Sequence, residues 1–230
     1  MTPTSAIAIV TGGGRGIGRA VAIALAARGV AVALLARGKR EMDAVRKEIV
    51  SRGGRALAIS CDVSSAASVA SAAKVVLREF GVPTLVVNNA GIAKRAPVAT
   101  MKESVWDETI GVNLKGPFLV TRAFLPRMLR AKRGRIVHVA SISSTLGTPT
   151  MSAYCASKWG LVGFAKALAE ELRGTGLATM SVLPGSVDTQ MLKGSGFAPM
   201  MTPEEVAHTI VYLGLDAPLA MNGSAVEIFG

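Results

Sequence analysis

Near its start the chain passes from a short apolar run, Ile7-Ala8-Ile9-Val10, into Thr11-Gly12-Gly13-Gly14-Arg15-Gly16-Ile17-Gly18. An alanine-rich stretch from Arg19 to Arg28 follows and stops at Gly29. A strand, a glycine turn and a helix in immediate succession leave few folds open. Gly12 permits the tight turn, Gly16 lets the backbone approach a diphosphate, and Gly18 lets the helix pack closely on the sheet. Free N–H groups at the helix start then face the phosphate oxygens. A plain flexible turn is the rival reading, and the periodicities on both sides weigh against it.

The same alternation continues along the chain. Val30 to Leu35, Ala56 to Ser60, Thr84 to Val87, Gly134 to Val139, Ala178 to Leu183 and Ala225 to Phe229 read as strands. Helices are expected over about 39–52, 65–80, 103–115, 117–130, 153–173 and from Pro203 onward. Near-continuous apolar strands separated by helices imply a parallel sheet covered on both faces. Right-handed crossovers put the strands' C-terminal ends on one edge, where a ligand sits. With 230 residues and no linker or repeat, residues 1–230 read as one domain, with a short lid segment at about 190–202.

Tyr154 and Lys158 stand four residues apart at the start of an expected helix, one turn apart on one face. An ammonium beside a phenol is expected to lower the tyrosine's pKa and fit it for proton transfer. Alone, the spacing also suits an ordinary surface helix.

Composition removes other classes. Met1 to Ser5 lack a secretory pattern, and the apolar runs fall short of a membrane span. Two cysteines, Cys61 and Cys155, fit a reducing, cytoplasmic compartment, and two distant histidines, His138 and His208, suggest no metal site. Both histidines read as ordinary structural or surface residues. Net charge is +11, with 25 of the 26 basic side chains in residues 1–173. The cluster Arg127, Arg130, Lys132, Arg133 and Arg135 has no interleaved aromatics, so specific nucleic-acid binding is not expected.

The ordered set Thr11 to Gly18, Asp62, Asn88-Asn89-Ala90-Gly91, Asn113, Ser141, Tyr154, Lys158, Pro184-Gly185 and Thr189 resembles the short-chain dehydrogenase/reductase family. The resemblance spans residues 5–229 and is closest to bacterial 3-oxoacyl-[acyl-carrier-protein] reductases and related carbonyl reductases. It implies an α/β fold of Rossmann type, a doubly wound parallel sheet with helices on both faces. It also implies roles: Tyr154 as general acid/base, Lys158 lowering its pKa and holding the nicotinamide ribose, and Ser141 binding the substrate oxygen. Asn113 would anchor a water that links Lys158 to solvent; its rival role is satisfying nearby backbone. The cofactor would lie against Gly12, Arg15, Gly16, Ile17 and Gly18. Asn89, Ala90 and Gly91 would line its adenosine side, with Asp62 and Val63 at the adenine. Pro184, Gly185, Val187 and Thr189 would wrap the nicotinamide.

The residue after the second strand judges the adenosine ribose, since an acid there repels a 2′-phosphate. Leu35-Ala36-Arg37 holds no acid, and Arg37 with Arg15 offers a clamp for that phosphate, so NADP(H) is expected over NAD(H). Ile92, Leu146, Val187 and Met191 are expected around an apolar substrate pocket beside Ser141 and Tyr154. Met191, Met200 and Met201 suit an adaptable lid wall or routine packing. The C-terminus, Asn222 to Gly230, departs from the family by lacking an Asp-Gly-Gly stretch.

The expected reaction is NADPH-dependent reduction of a ketone or 3-oxoacyl thioester. The alternatives are oxidation of a secondary alcohol or sugar, and a dinucleotide-binding regulator without turnover. A homotetramer or homodimer is expected through the helices at 103–130 and 153–173. Leu161, Phe164, Ala165, Leu168 and Leu172 are expected to spread apolar surface over more than one face of the latter, and Gly160, Gly163, Ala167 and Ala169 to leave room for a partner.

Overall fold

The computed structural model describes residues 6–230; Met1 to Ser5, read above for a targeting signal, lie outside the described residues. Seven strands alternate with helices: β1 (Ile7–Thr11), α1 (Gly16–Ala27), β2 (Ala31–Ala36), α2 (Lys39–Ser51), β3 (Ala56–Ser60), α3 (Ala66–Glu79) and β4 (Leu85–Asn88). Then come α4 (Glu103–Ile110), α5 (Gly116–Ala131), β5 (Gly134–Val139), α6 (Ser152–Glu171), β6 (Leu177–Pro184), α7 (Pro203–Val211) and β7 (Ala225–Ile228). The strands form one parallel sheet in the order β3-β2-β1-β4-β5-β6-β7. The order reverses between β1 and β4, and this switch point opens the crevice where a ligand binds.

The sheet is apolar on both sides because each side carries helices. One core packs α1, α2 and α7 against Ala8, Val10, Val32, Leu34 and Val137. The other packs α3, α5 and α6 against Ile9, Ala33, Leu35, Val86 and Ile136. Consecutive strand residues alternate between the two cores, as a two-residue period requires.

Expected and observed elements agree to within a few residues, with one informative exception. The segment read as two helices, 103–115 and 117–130, is α4 and α5 joined by a π-helical turn at Gly111–Lys115. Composition at this turn resembles ordinary helix, so the wider hydrogen-bond ring leaves no mark in the periodicity.

Close approach explains Gly18. A Cβ there would stand 2.3 Å from the carbonyl oxygen of Gly12 and 2.5 Å from Asn89 Nδ2. Gly18→Ala is therefore expected to cost about 1–3 kcal/mol as the turn and helix are forced apart. Urea unfolding followed by circular dichroism measures this; a wild-type midpoint would show that the turn yields freely.

Candidate functional site

The crevice is built where β1 and β4 end side by side. Thr11 Oγ1 accepts the N–H groups of Asn89 (2.9 Å) and Ala90 (3.0 Å). Asn89 Nδ2 donates back to the carbonyls of Thr11 (2.9 Å) and Gly12 (3.4 Å). The glycine turn and the Asn88-Asn89-Ala90-Gly91 turn are thus one hydrogen-bonded unit. Gly12 and Gly16 lie in the left-handed region, at φ +66 and +51. The chain leaving β6 returns to this turn: Gly185 N–H donates to Ile228 O at 2.9 Å, Val187 bridges to Met201, and Thr189 reaches Gly16. Thr189 Cγ2 lies 3.2 Å from where a Cβ on Gly16 would stand. A glycine cradle at a helix start, faced by a threonine, suits a dinucleotide diphosphate, so the residues present fit that group.

Just after β3, Asp62 Oδ1 accepts from the N–H (3.0 Å) and the hydroxyl (2.7 Å) of Ser64. These two bonds, and more weakly Arg37, hold its carboxyl below the usual range. Val63 turns its side chain into the core, against Gly116. Arg15 and Arg37 are both exposed at the rim.

The chemical centre lies beyond the ends of β4 and β5. Tyr154 and Lys158 project from α6 and are both buried, at 8% and 4% exposure. Ser141 follows β5; its Oγ accepts the N–H of Ser143 at 3.1 Å and acts to lower the pKa of the Tyr154 phenol. Lys158 Nζ donates to Val139 O at 2.7 Å and stands 5.7 Å from the Tyr154 ring centre. Burial pushes the Tyr154 phenol up, opposed by Ser141, and pushes Lys158 down to about 8. The lowered tyrosine pKa expected from a neighbouring ammonium is therefore not what this structure has. Desolvation of the phenolate dominates, Ser141 opposes it, and the lysine spends a bond on backbone.

Asn113 sits in the π-helical turn, fully buried. Its Oδ1 accepts Ile92 N–H (2.9 Å), and its Nδ2 donates to Ile92 O (2.9 Å) and Ser157 Oγ (3.0 Å). Both donors are spent on protein, one on the Ile92 backbone and one on the Ser157 hydroxyl, so any water at this side chain must donate to the oxygen. Ser157, which the sequence reading passed over, also donates to Tyr154 O at 2.7 Å and so ties Asn113 to the turn carrying the tyrosine.

The expected pocket residues separate. Ile92 is partly buried against the second core, whereas Leu146 and Met191 are half exposed at the rim, at 55% and 47%. Of the lid methionines, Met201 is buried and Met200 exposed. Across the opening, the Arg95 guanidinium lies 5.8 Å from the centre of the Phe197 ring. Among the described residues, no group of His, Cys, Asp or Glu is arranged to hold a metal, and no helix is long and apolar enough to cross a membrane.

The model of the short chain dehydrogenase family matches residues 6–197. The chain belongs to that family. It is 38% identical over 238 residues to a 3-oxoacyl-[acyl-carrier-protein] reductase of Synechocystis, covering 99% of this chain and 96% of that protein. It is 35% identical over 237 residues to a D-threitol dehydrogenase of Mycolicibacterium smegmatis, covering 97% and 91%. An actinorhodin polyketide ketoreductase variant crystallised with NADPH superposes with a TM-score of 0.94 at 31% identity, covering 100% of this chain and 98% of that one. This short-chain dehydrogenase is an oxidoreductase that converts a carbonyl to an alcohol on a dinucleotide-binding fold.

Beneath the site of this dehydrogenase lies a residue whose importance its sequence hid. His138 on β5 is fully buried, in register with Asn88 on β4 and Ser181 on β6. Asn88 Nδ2 lies 3.1 Å from Thr121 Oγ1 and 3.3 Å from His138 Nδ1, and the imidazole meets the Phe164 ring edge-on at 5.6 Å. Burial, then the charge of Lys158, pushes His138 down to about 3 from 6.5. The unfolded chain accepts this proton below pH 6.5 and the folded one does not, so stability is lost as pH falls from there toward 3. Between pH 7.5 and 5 the expected loss is about 2 kcal/mol. His138→Asn, which keeps an acceptor for Asn88, should remove most of that slope in urea titrations. An equal slope in the variant would place the titration elsewhere.

Proposed function

We propose that this chain is an NADPH-preferring ketone reductase in which Tyr154 delivers the proton. The observation that carries the reading is that Tyr154, Ser141 and Lys158 are buried together, with Ser141 acting on the phenol. A phenol kept protonated by burial is the form that reduction consumes, because the carbonyl oxygen needs a proton as it becomes an alkoxide. Ser141 Oγ donates to the same oxygen and steadies its growing charge. Lys158 keeps two donors beyond its bond to Val139 O, enough to hold a ribose and to answer the phenolate left on Tyr154. Asn113, through Ser157 and Ile92, fixes the two segments on which these groups stand.

Gly12, Arg15, Gly16, Ile17 and Gly18 would hold the diphosphate, Asn89, Ala90, Gly91, Asp62 and the Val63 backbone the adenosine half, and Pro184, Gly185, Val187 and Thr189 the nicotinamide. When bound, the nicotinamide supplies the hydride. Arg15 and Arg37 give the preference for the 2′-phosphate.

The substrate is a ketone of the 3-oxoacyl thioester type, for which the likeness to the cyanobacterial reductase is the support. Ser141 and Tyr154 grip its oxygen, with Ile92, Leu146 and Met191 along the way in. The likeness to a D-threitol dehydrogenase favours a second reading, oxidation of a secondary alcohol at the same residues. The two free cysteines suit a reducing cytoplasm.

Tyr154→Phe is expected to lower kcat about 10²- to 10⁴-fold while cofactor affinity stays near wild type. NADPH consumption against a panel of ketones and 3-oxoacyl thioesters, with the variant as control, measures both. Tight cofactor binding without turnover across the panel would replace the reductase by a dinucleotide-binding regulator.

Self-association is proposed through α4, α5 and α6, with different large side chains from those expected and three of the same small ones. Leu161, Ala165, Leu168, Ala169 and Leu172 are buried within the subunit. The surface they leave carries Trp106, Phe118 and Trp159, at 41%, 41% and 55% exposure, beside the small residues Gly160, Gly163 and Ala167. Large aromatics next to small residues on neighbouring helices suit a partner's helix. Light scattering at micromolar concentration should give a dimer or tetramer; a monomer of 23.7 kDa with full activity would remove the interface.

A further inference from the structure

The ribose end of the cofactor crevice contains an acid that lies outside the Leu35-Ala36-Arg37 stretch. The first turn of α2 carries Glu41, and its side chain leans back over two glycines. Its Cβ stands 3.1 Å from where a Cβ on Gly14 would be, and its Oε2 stands 2.9 Å from the same point on Gly38. Gly14 precedes Arg15 and Gly38 follows Arg37, so the side chain lies between the two loops that carry the proposed phosphate clamp, its Cβ towards Gly14 and its carboxylate towards Gly38. Glu41 is exposed and, among the described residues, forms no ion pair or hydrogen bond through its carboxylate.

The neighbouring charges add to the argument. Arg37 already acts on the carboxyl of Asp62, the other acid at this end of the crevice. The rim therefore carries two carboxylates among its cations, which are Arg15, Arg37 and, in the first turn of α2, Lys39 and Arg40; an NADP(H) site at full strength would have the cations alone.

We infer that Glu41 is a specificity-determining residue of the dinucleotide site: it opposes a 2′-phosphate, accepts a hydrogen bond from a 2′-hydroxyl, and so keeps the preference for NADPH over NADH small. This rests on the NADPH reading above and sharpens it. As a positioning effect the same side chain would serve only the start of α2, where an acid is favourable against the helix dipole. Glu41→Gln separates the two, because glutamine keeps the shape and the hydrogen-bonding reach while losing the charge.

The test is direct binding to the full chain by calorimetry, with NADPH, NADH and the fragments 2′,5′-ADP and 5′-AMP, at low and high salt. Glu41→Gln should bind NADPH and 2′,5′-ADP about five- to tenfold more tightly at low salt, less so at high salt, with NADH and 5′-AMP unchanged or weaker. Unchanged or weaker NADPH binding would overturn the inference, as would an equal shift for all four ligands, which marks a packing effect. Arg37→Asp, measured alongside, tests the underlying reading: it should weaken NADPH and 2′,5′-ADP and spare NADH. If Arg37→Asp leaves NADPH binding intact, the clamp is wrong, whereas the Glu41→Gln result still decides the role of the acid.

Discussion

The site hangs on the hydroxyl of Thr11. Buried at the end of β1, it accepts the N–H groups of Asn89 and Ala90 and donates to Val87 O at 3.4 Å. A parallel sheet whose order reverses leaves two strand ends adjacent without a connection between them. At that point several backbone groups lose their sheet partners while still shielded from water, and each unpaired group is costly. Thr11 and Asn89 satisfy them reciprocally. The glycine turn and the loop leading to Ile92 are thereby joined, and Asn113 extends the joint from Ile92 to Ser157 on α6. The proposed cofactor cradle and the proposed proton donor thus share one chain of hydrogen bonds, each link about 3 Å long.

Burial then sets the chemistry. It favours the neutral form of every titratable group it covers, so it raises Tyr154 and lowers Lys158 and His138. The three lie together near the ends of the central strands, and the positive charge of Lys158 adds to the pressure keeping His138 neutral. A neutral imidazole there is useful structurally. It accepts the amide of Asn88 in a region of the sheet that would otherwise hold an apolar residue, and it brings no second cation under the lysine.

Strands and helices were legible because apolar runs and glycine stops are local signals, whereas the doubly wound order came from the resemblance. The helix start at Pro203, for example, is where α7 begins, closed by a capping box of Thr202 and Glu205. Features that depend on two distant segments were not legible. The π-helical turn that points Asn113 at Ile92 has no compositional mark. Glu41 reads as an ordinary first-turn acid until α2 is folded against Gly14. The apolar side chains of α6 looked like surplus surface because their partners, in the sheet and in α5, come from elsewhere in the chain. His138 read as ordinary because a lone histidine gives no sign of being covered.

The proposed lid segment has held ends and an exposed middle. Its first end is Thr189 against Gly16, and its second is Met201, buried and bridged to Val187. Both ends are held by backbone and core. Between them Met191, Phe197 and Met200 face solvent, and the one aromatic contact across the opening is that of Phe197 with Arg95. An exposed cation–π contact contributes only about 0.5–1 kcal/mol, comparable with thermal energy. Backbone bonds of the segment, among them Met200 N–H to Ser186 O at 2.9 Å, hold it as well. In the proposed reading, a substrate entering past Arg95 would exchange the guanidinium's contact with Phe197 for its own apolar contacts with Phe197 and the methionines, whose unbranched side chains adapt to different shapes. Breadth in the substrate chain would then be set by this segment, and strictness at the reacting oxygen by Ser141 and α6.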